Sequence, residues 1–156
     1  MSSIMRELIE YHGITEFIPG LSHSYKTVNL QGTKALPKDY ALIEYICKFG
    51  SMPAILDISV KPTPVSNSTT GQKLSGYKVN FNGHIKSTLE YSSINTLSSI
   101  NIFEFNHEFT EYIILPHNFL ESSKPNIVCY VHDLNIFMLD HDKFFYNICV
   151  TFNAEF

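Results

Sequence analysis

The stretch from Gly76 to Tyr91, GYKVNFNGHIKSTLEY, constrains this chain more than any other. Tyr77, Val79, Phe81, Gly83, Ile85, Ser87, Leu89 and Tyr91 hold its odd positions, and Lys78, Asn80, Asn82, His84, Lys86, Thr88 and Glu90 its even ones. A period of two belongs to a strand: successive side chains leave opposite faces, so the odd set can line a core while the even set meets water. The run exceeds the roughly 5–6 residues of an ordinary strand, and Gly83 removes the side chain near its middle. The expected element is a long strand bent at Gly83. A bulge or corner there lets one strand serve two sheets, or curves one sheet over its own core.

A chain of 156 residues is most simply one domain, 1–156, long enough to bury a core without covalent staples. Phe and Tyr are abundant and Trp is absent, which suits sheets, where aromatic and β-branched side chains pack across neighbouring strands. A formal net charge of −4 with a single arginine, Arg6, argues against nucleic acid, because phosphate binding draws on Lys and Arg. The apolar run Tyr112 to Leu115 falls far short of the roughly 20 residues of a membrane-spanning helix. At the N-terminus Ile4, Met5, Leu8 and Ile9 are interrupted by Arg6 and Glu7, so no signal-peptide core is present and synthesis in the cytoplasm is expected. The three cysteines, Cys47, Cys129 and Cys149, fit no metal spacing and cannot all pair, which favours a reducing home. With Leu139 opposite Phe144 in a terminal hairpin, Cys129 would share a face with the even residues of the last strand and Cys149 would face away, so an internal disulfide between them is not expected.

In chain order, Ser2 or Ser3 can cap a short helix whose Ile4, Met5, Leu8 and Ile9 form an apolar stripe ended by Gly13. Residues 1–24 then read as a helical arm, marginal alone, that packs on its own sandwich or reaches a neighbouring subunit. The four apolar residues are the candidate assembly contacts. Tyr25 to Leu30 reads as a short extended piece and Met52 to Val60 as a strand, whereas Tyr40 to Phe49 is ambiguous, although Leu42, Ile43, Tyr45, Ile46 and Phe49 match helical spacing. Lys61 to Gly71, with two prolines, reads as a surface loop, and Asn95 to Ser99 as a polar break. Phe103, Phe105, His107 and Phe109 carry one face of the next segment, and Glu108 to Pro116 a strand stopped by proline. Ile127, Cys129 and Val131 shift phase to Leu134, Ile136 and Met138, which signals a bulge. Asp140-His141-Asp142-Lys143 joins that strand to one alternating without fault from Phe144 to Phe156. With no βαβ rhythm and no repeat, the expected fold is mainly β: an antiparallel β-sandwich or curled sheet with a short N-terminal helix.

Chemistry is sparse. His132-Asp133 and Asp140-His141-Asp142 offer zinc-type ligands, but their spacing matches no metal signature and solvated hairpins commonly contain such turns. No cofactor motif, Gly-rich phosphate loop, GxSxG elbow or HExxH helix occurs. Each cysteine lies in an apolar-patterned segment, where it behaves as a small hydrophobe rather than a nucleophile. Tyr77, Asn80, Asn82, His84 and Tyr91 suggest a carbohydrate platform, but alternation puts the tyrosines and the amides on opposite faces.

Motif order adds a resemblance. Gly71-Gln-Lys-Leu-Ser-Gly-Tyr-Lys-Val79, then Asn82-Gly-His-Ile85, Leu89-Glu-Tyr91, Phe105 and Phe109 with Tyr112-Ile-Ile-Leu-Pro116, then Val131-His-Asp133 and Tyr146-Asn-Ile148 resemble the SPOCS domain family of spore-coat morphogenesis proteins. Leu8-Ile-Glu-Tyr-His-Gly-Ile14 is similar to short members of that family. Pro37-Lys-Asp-Tyr-Ala-Leu-Ile43 and Ser98-Ser-Ile100 depart from its pattern, and the resemblance implies that part of Tyr40 to Phe49 is extended. The resemblance implies a non-catalytic β module that associates with itself or with other spore-coat proteins at the spore coat or surface, and it carries over no catalytic residue. The alternative left open by the residues is a ligand-binding or hydrolytic β domain, for carbohydrate or another small molecule.

Overall fold

The alternating stretch lies inside one 21-residue strand, β5 (Lys73–Ser93). In a computed structural model that describes residues 2–67, 73–95 and 99–156, its odd side chains from Val79 to Tyr91 are buried and its even ones are half-exposed. Along one side it pairs with β4 (Ile43–Asn67), along the other with β6 (Ile100–Ile114), antiparallel in both cases. The hairpin of β1 (Ser2–Arg6) and β2 (Ile9–Ile14) completes a five-stranded sheet in the order β1-β2-β4-β5-β6. A second sheet sets β8 (Lys143–Glu155) between β3 (Tyr25–Ala35) and β7 (Asn126–Asp140). The two sheets face each other across an aromatic core in which Phe81 meets Phe152 at 4.9 Å and Phe105 meets Tyr146 at 4.9 Å between ring centroids. The fold is mainly β, a two-sheet sandwich that does not close into a barrel.

Gly83 behaves as a close-approach glycine rather than a switch between sheets. It stays in one sheet opposite Ile55, where β4 bulges at Leu56 before Asp57 pairs with Asn82. A Cβ on Gly83 would lie 2.1 Å from the Ala54 carbonyl oxygen and 2.9 Å from the Phe109 ring, so only glycine lets the two backbones meet there.

Several expectations need correction. The described residues contain no helix, and Ile4, Met5, Leu8 and Ile9 belong to the β1–β2 hairpin. Its two-residue turn holds Glu7 and Leu8 at φ 48° and 67°, the left-handed pair that a type I′ turn requires. Gly13 ends no helix either. It sits in β2 at φ +94°, pressed against the Ser51 carbonyl, where a Cβ would come within 2.1 Å. The stripe recurs at helical spacing, but the decisive burial is at Tyr11 and Ile14, which pack into the core. Nor is the sheet wholly antiparallel, since β2 runs parallel to β4 over Lys48 to Gly50.

Of the two readings of Tyr40 to Phe49 the structure has the extended one: β4 starts at Ile43 and buries Ile43, Ile46 and Phe49. The expected loop from Lys61 is strand as far as Asn67, and its remaining residues lie outside the described residues, as does most of the polar break at Asn95 to Ser99. Prolines survive in β4 because of ladder parity. The Leu115 N–H donates to the Tyr77 carbonyl at 3.1 Å, so odd residues of β5 bond to β6 and even ones to β4. Pro53 and Pro62 stand opposite the odd residues Ile85 and Tyr77. Their missing donors therefore point to the open side of β4, where no bond is lost.

The phase shift in β7 is a bulge at His132, and the β7–β8 hairpin turns at His141-Asp142. Met138, not Leu139, stands opposite Phe144. Cys129 still faces Phe152 and the core while Cys149 faces away, and all three cysteines are free thiols.

Candidate functional site

The four expected contact residues divide. Ile9 is half-buried against the core, whereas Ile4, Met5 and Leu8 are exposed, Leu8 by 90%. The hairpin that carries them is fastened to its own sandwich. Arg6 pairs with Asp133 on β7 and donates to the Asn135 side-chain oxygen at 3.3 Å. The Tyr11 hydroxyl accepts the Ile136 N–H at 3.3 Å, and Thr15 exchanges hydrogen bonds with the Val131 backbone. These contacts occupy backbone groups on the free side of β7. Burial alone would push the Asp133 carboxyl up, but hydrogen bonds from Arg6 and Asn135 outweigh it and hold it below the usual carboxylate range.

The β1–β2 turn brings Glu7, Leu8 and Ile9 beside Glu44, Tyr45 and Ile46 at the start of β4 and Met138 near the end of β7. Together they enclose an open groove of about 530 Å³, apolar on its floor and carrying two exposed glutamates. Tyr45 and Met138 are 55% and 40% exposed. A bulky, exposed leucine at positive φ is an unusual conformation, and here it projects apolar surface at the groove's rim.

Edges supply the other unpartnered surface. On the flank opposite the hairpin, Lys26 of β3 reaches Glu111 of β6 at 2.5 Å, and Lys34 lies over the Phe105 ring at 5.8 Å. His107 bonds the Tyr146 hydroxyl at 2.6 Å within this flank, and burial, with Lys34 nearby, pushes the imidazole below its ordinary value. The β6 ladder has no register shift along its length. By the parity above, its odd residues bond to β5, so the backbone groups of Ile102, Glu104, Asn106, Glu108, Thr110 and Tyr112 point to the open side, where no strand pairs with β6 among the described residues.

The remaining candidates are taken up structurally. His132 Nε2 meets Thr151 Oγ1 at 2.5 Å, His141 Nδ1 meets the Ile43 carbonyl at 2.7 Å, and the His141 and Asp142 carbonyls accept from the Ile43 and Leu36 N–H groups. The Asp140-His141-Asp142 turn thus anchors the incoming chain of β4. Among the described residues no group of three or more His, Cys, Asp or Glu is placed to hold a metal ion. Burial raises all three thiols, Cys129 to about 12, opposite to the shift that activates a cysteine nucleophile. Tyr91 is fully buried with its hydroxyl donating to the Ala41 carbonyl at 2.7 Å, and Tyr77 packs on Phe119; Asn80, Asn82 and His84 lie on the opposite face.

Sequence reasoning missed Tyr11, Arg6 with Asp133, and the open side of β6. Only the absence of Gly and Pro from Ile100 to Ile114 could have flagged the last. Compared with known proteins, the chain matches no family model, no curated protein and no solved structure.

Proposed function

We propose that this chain is a non-catalytic structural protein that associates with itself or with protein partners, in the spore-coat or outer-layer setting that its ordered motifs resemble. The observation that supports this reading is the open side of β6. An edge strand is a template for another strand, and proteins that avoid such pairing interrupt their edges. Beyond Gly50, β4 is interrupted by Pro53, Pro62 and Pro64 and by bulges; β7 is partly covered by the hairpin. The 15 residues of β6 carry no proline, glycine or bulge. Glu104 is already paired with Lys86 at 3.1 Å, so Glu108 on the outer face makes the edge selective, favouring a partner strand that supplies a cation or a register that keeps carboxylates apart.

Asn106→Pro tests this reading. Its N–H points to the open side, so the substitution removes a template donor and leaves the β5 ladder intact. Sedimentation velocity across a wide concentration range should show wild-type protein growing in size and Asn106→Pro remaining smaller with an unchanged circular dichroism spectrum. Wild-type protein that stays monomeric throughout and binds a small ligand saturably would refute the proposal.

A further inference from the structure

Charge is distributed unevenly along the long axis. From Ile58 to Leu89 the sequence has Lys61, Lys73, Lys78 and Lys86 and no Asp or Glu, so all fifteen acidic residues of a net-negative chain lie elsewhere. Most of this basic segment is the β4–β5 ribbon. Its outer part, from Pro62 opposite Tyr77 to Asn67 opposite Lys73, extends past Ile114, the last residue of β6, and among the described residues no third strand pairs with it. Lys73 is exposed there, Lys61 is exposed at its inner boundary opposite Lys78, and Val65 between the two is 74% exposed.

At the other end of β4 lies the groove with Glu7 and Glu44. Tyr45 in the groove and Val65 in the ribbon stand on one strand, roughly 60 Å apart at its usual rise per residue. The two surfaces cannot meet within one molecule. They are complementary in both respects: an exposed valine flanked by lysines, and an open apolar groove of about 530 Å³ flanked by glutamates.

We infer that the groove takes the β4–β5 ribbon of a second copy of this chain, so that copies join head to tail. The inference rests on the self-association proposed above and names a second contact for it. Val65 would enter the groove beside Leu8 and Tyr45, with Lys61 and Lys73 facing Glu7 and Glu44. A contact between two different surfaces at opposite ends does not close on itself as a two-fold pair does; it propagates into an open chain. Pairing through β6 is lateral to this axis and closes at a pair, so the two contacts together would make a two-stranded filament.

Charge reversal at each end, with the full chain, tests this. Glu7→Lys with Glu44→Lys makes both ends basic, and Lys61→Glu with Lys73→Glu makes both ends acidic. All four side chains are exposed, so both double variants should fold, which circular dichroism checks. At low ionic strength wild-type protein should form assemblies longer than a pair, measured by light scattering and negative-stain microscopy. Each variant alone should stop at a pair or a monomer, and an equimolar mixture should restore long assemblies, since each basic end then finds an acidic one. Variants that individually assemble as wild type does would overturn the head-to-tail contact and leave self-association standing, as would wild-type protein that stops at a pair. A monomeric wild type would overturn both.

Discussion

Substituting Gly83 by alanine sets two opposing effects against each other. Gly83 is extended and not at positive φ. Alanine there should stabilise by about 0.4–1 kcal/mol through the unfolded chain alone, which it makes less flexible. Against this, the new Cβ would lie 2.1 Å from the Ala54 carbonyl oxygen and 3.1 Å from its carbon, with the Phe109 ring at 2.9 Å. Two of those three atoms are backbone next to the Leu56 bulge and cannot rotate away, so β4 must shift. Overpacking of this kind costs about 1–3 kcal/mol, and the backbone contact puts Gly83→Ala at the upper end, a net loss of about 2–2.6 kcal/mol once the unfolded-state gain is subtracted. At about 2–4 °C per kcal/mol for a domain of this size, the melting temperature should fall by roughly 4–10 °C. Gly20→Ala is the control, because nothing lies within 4 Å of its Cβ position. Urea unfolding followed by circular dichroism measures both. If Gly83→Ala matches or exceeds Gly20→Ala in stability, close backbone approach is not what requires glycine at the centre of β5.

Faces on β5 are tested by Phe81→Asp or Ile85→Asp, which place a carboxylate at positions 2% and 0% exposed and should cost more than about 4 kcal/mol or prevent folding; Asn80→Asp and Lys86→Glu should stay within about 1 kcal/mol of wild type in the same unfolding assay. Tyr11→Phe removes the acceptor for the buried Ile136 N–H and should cost about 1–3 kcal/mol, with faster amide exchange in β7 by mass spectrometry. Because the folded Asp133 carboxyl is held below its unfolded value, near 3.9, the Arg6 pair should be fully stabilising above that value and lose its effect as pH falls through the folded one. With both side chains more than a third exposed, solvent screening limits the difference between wild type and Asp133→Asn to at most about 1 kcal/mol at pH 6, and it should shrink as pH falls through the folded value; a difference that does not shrink on acidification would contradict the assignment.

Local alternation carried most of the β reading. Phe103, Phe105 and Phe109 of β6 and the even residues Phe144 to Ala154 of β8 are buried as their period requires, because a half-buried strand has only two faces and the core selects one. The β7 bulge and the β7–β8 turn were legible for the same reason: a phase change, and a polar break between two alternating runs. What misled the reading was a stripe that satisfies two geometries. Ile4, Met5, Leu8 and Ile9 recur at helical spacing, and only contact with β4 and β7 makes Tyr11 and Ile14 the buried pair, with the chain reversing at Glu7-Leu8. Lys61 to Gly71 has a loop's composition, two prolines that remove backbone donors and polar residues that favour local turns, but a missing donor breaks a strand only where both sides are paired, and as far as Asn67 one side of β4 is open.

Taken alone, then, the sequence determines periods, turns and the basic stretch from Ile58 to Leu89, since each is a property of neighbours along the chain. The groove, the parallel β2–β4 pairing and the open side of β6 were decided by tertiary structure, because each depends on which distant strands come to lie side by side. Glu7, Glu44 and Met138 share a groove only after the hairpin, β4 and β7 are brought to one end of the sandwich, and no local pattern records that meeting.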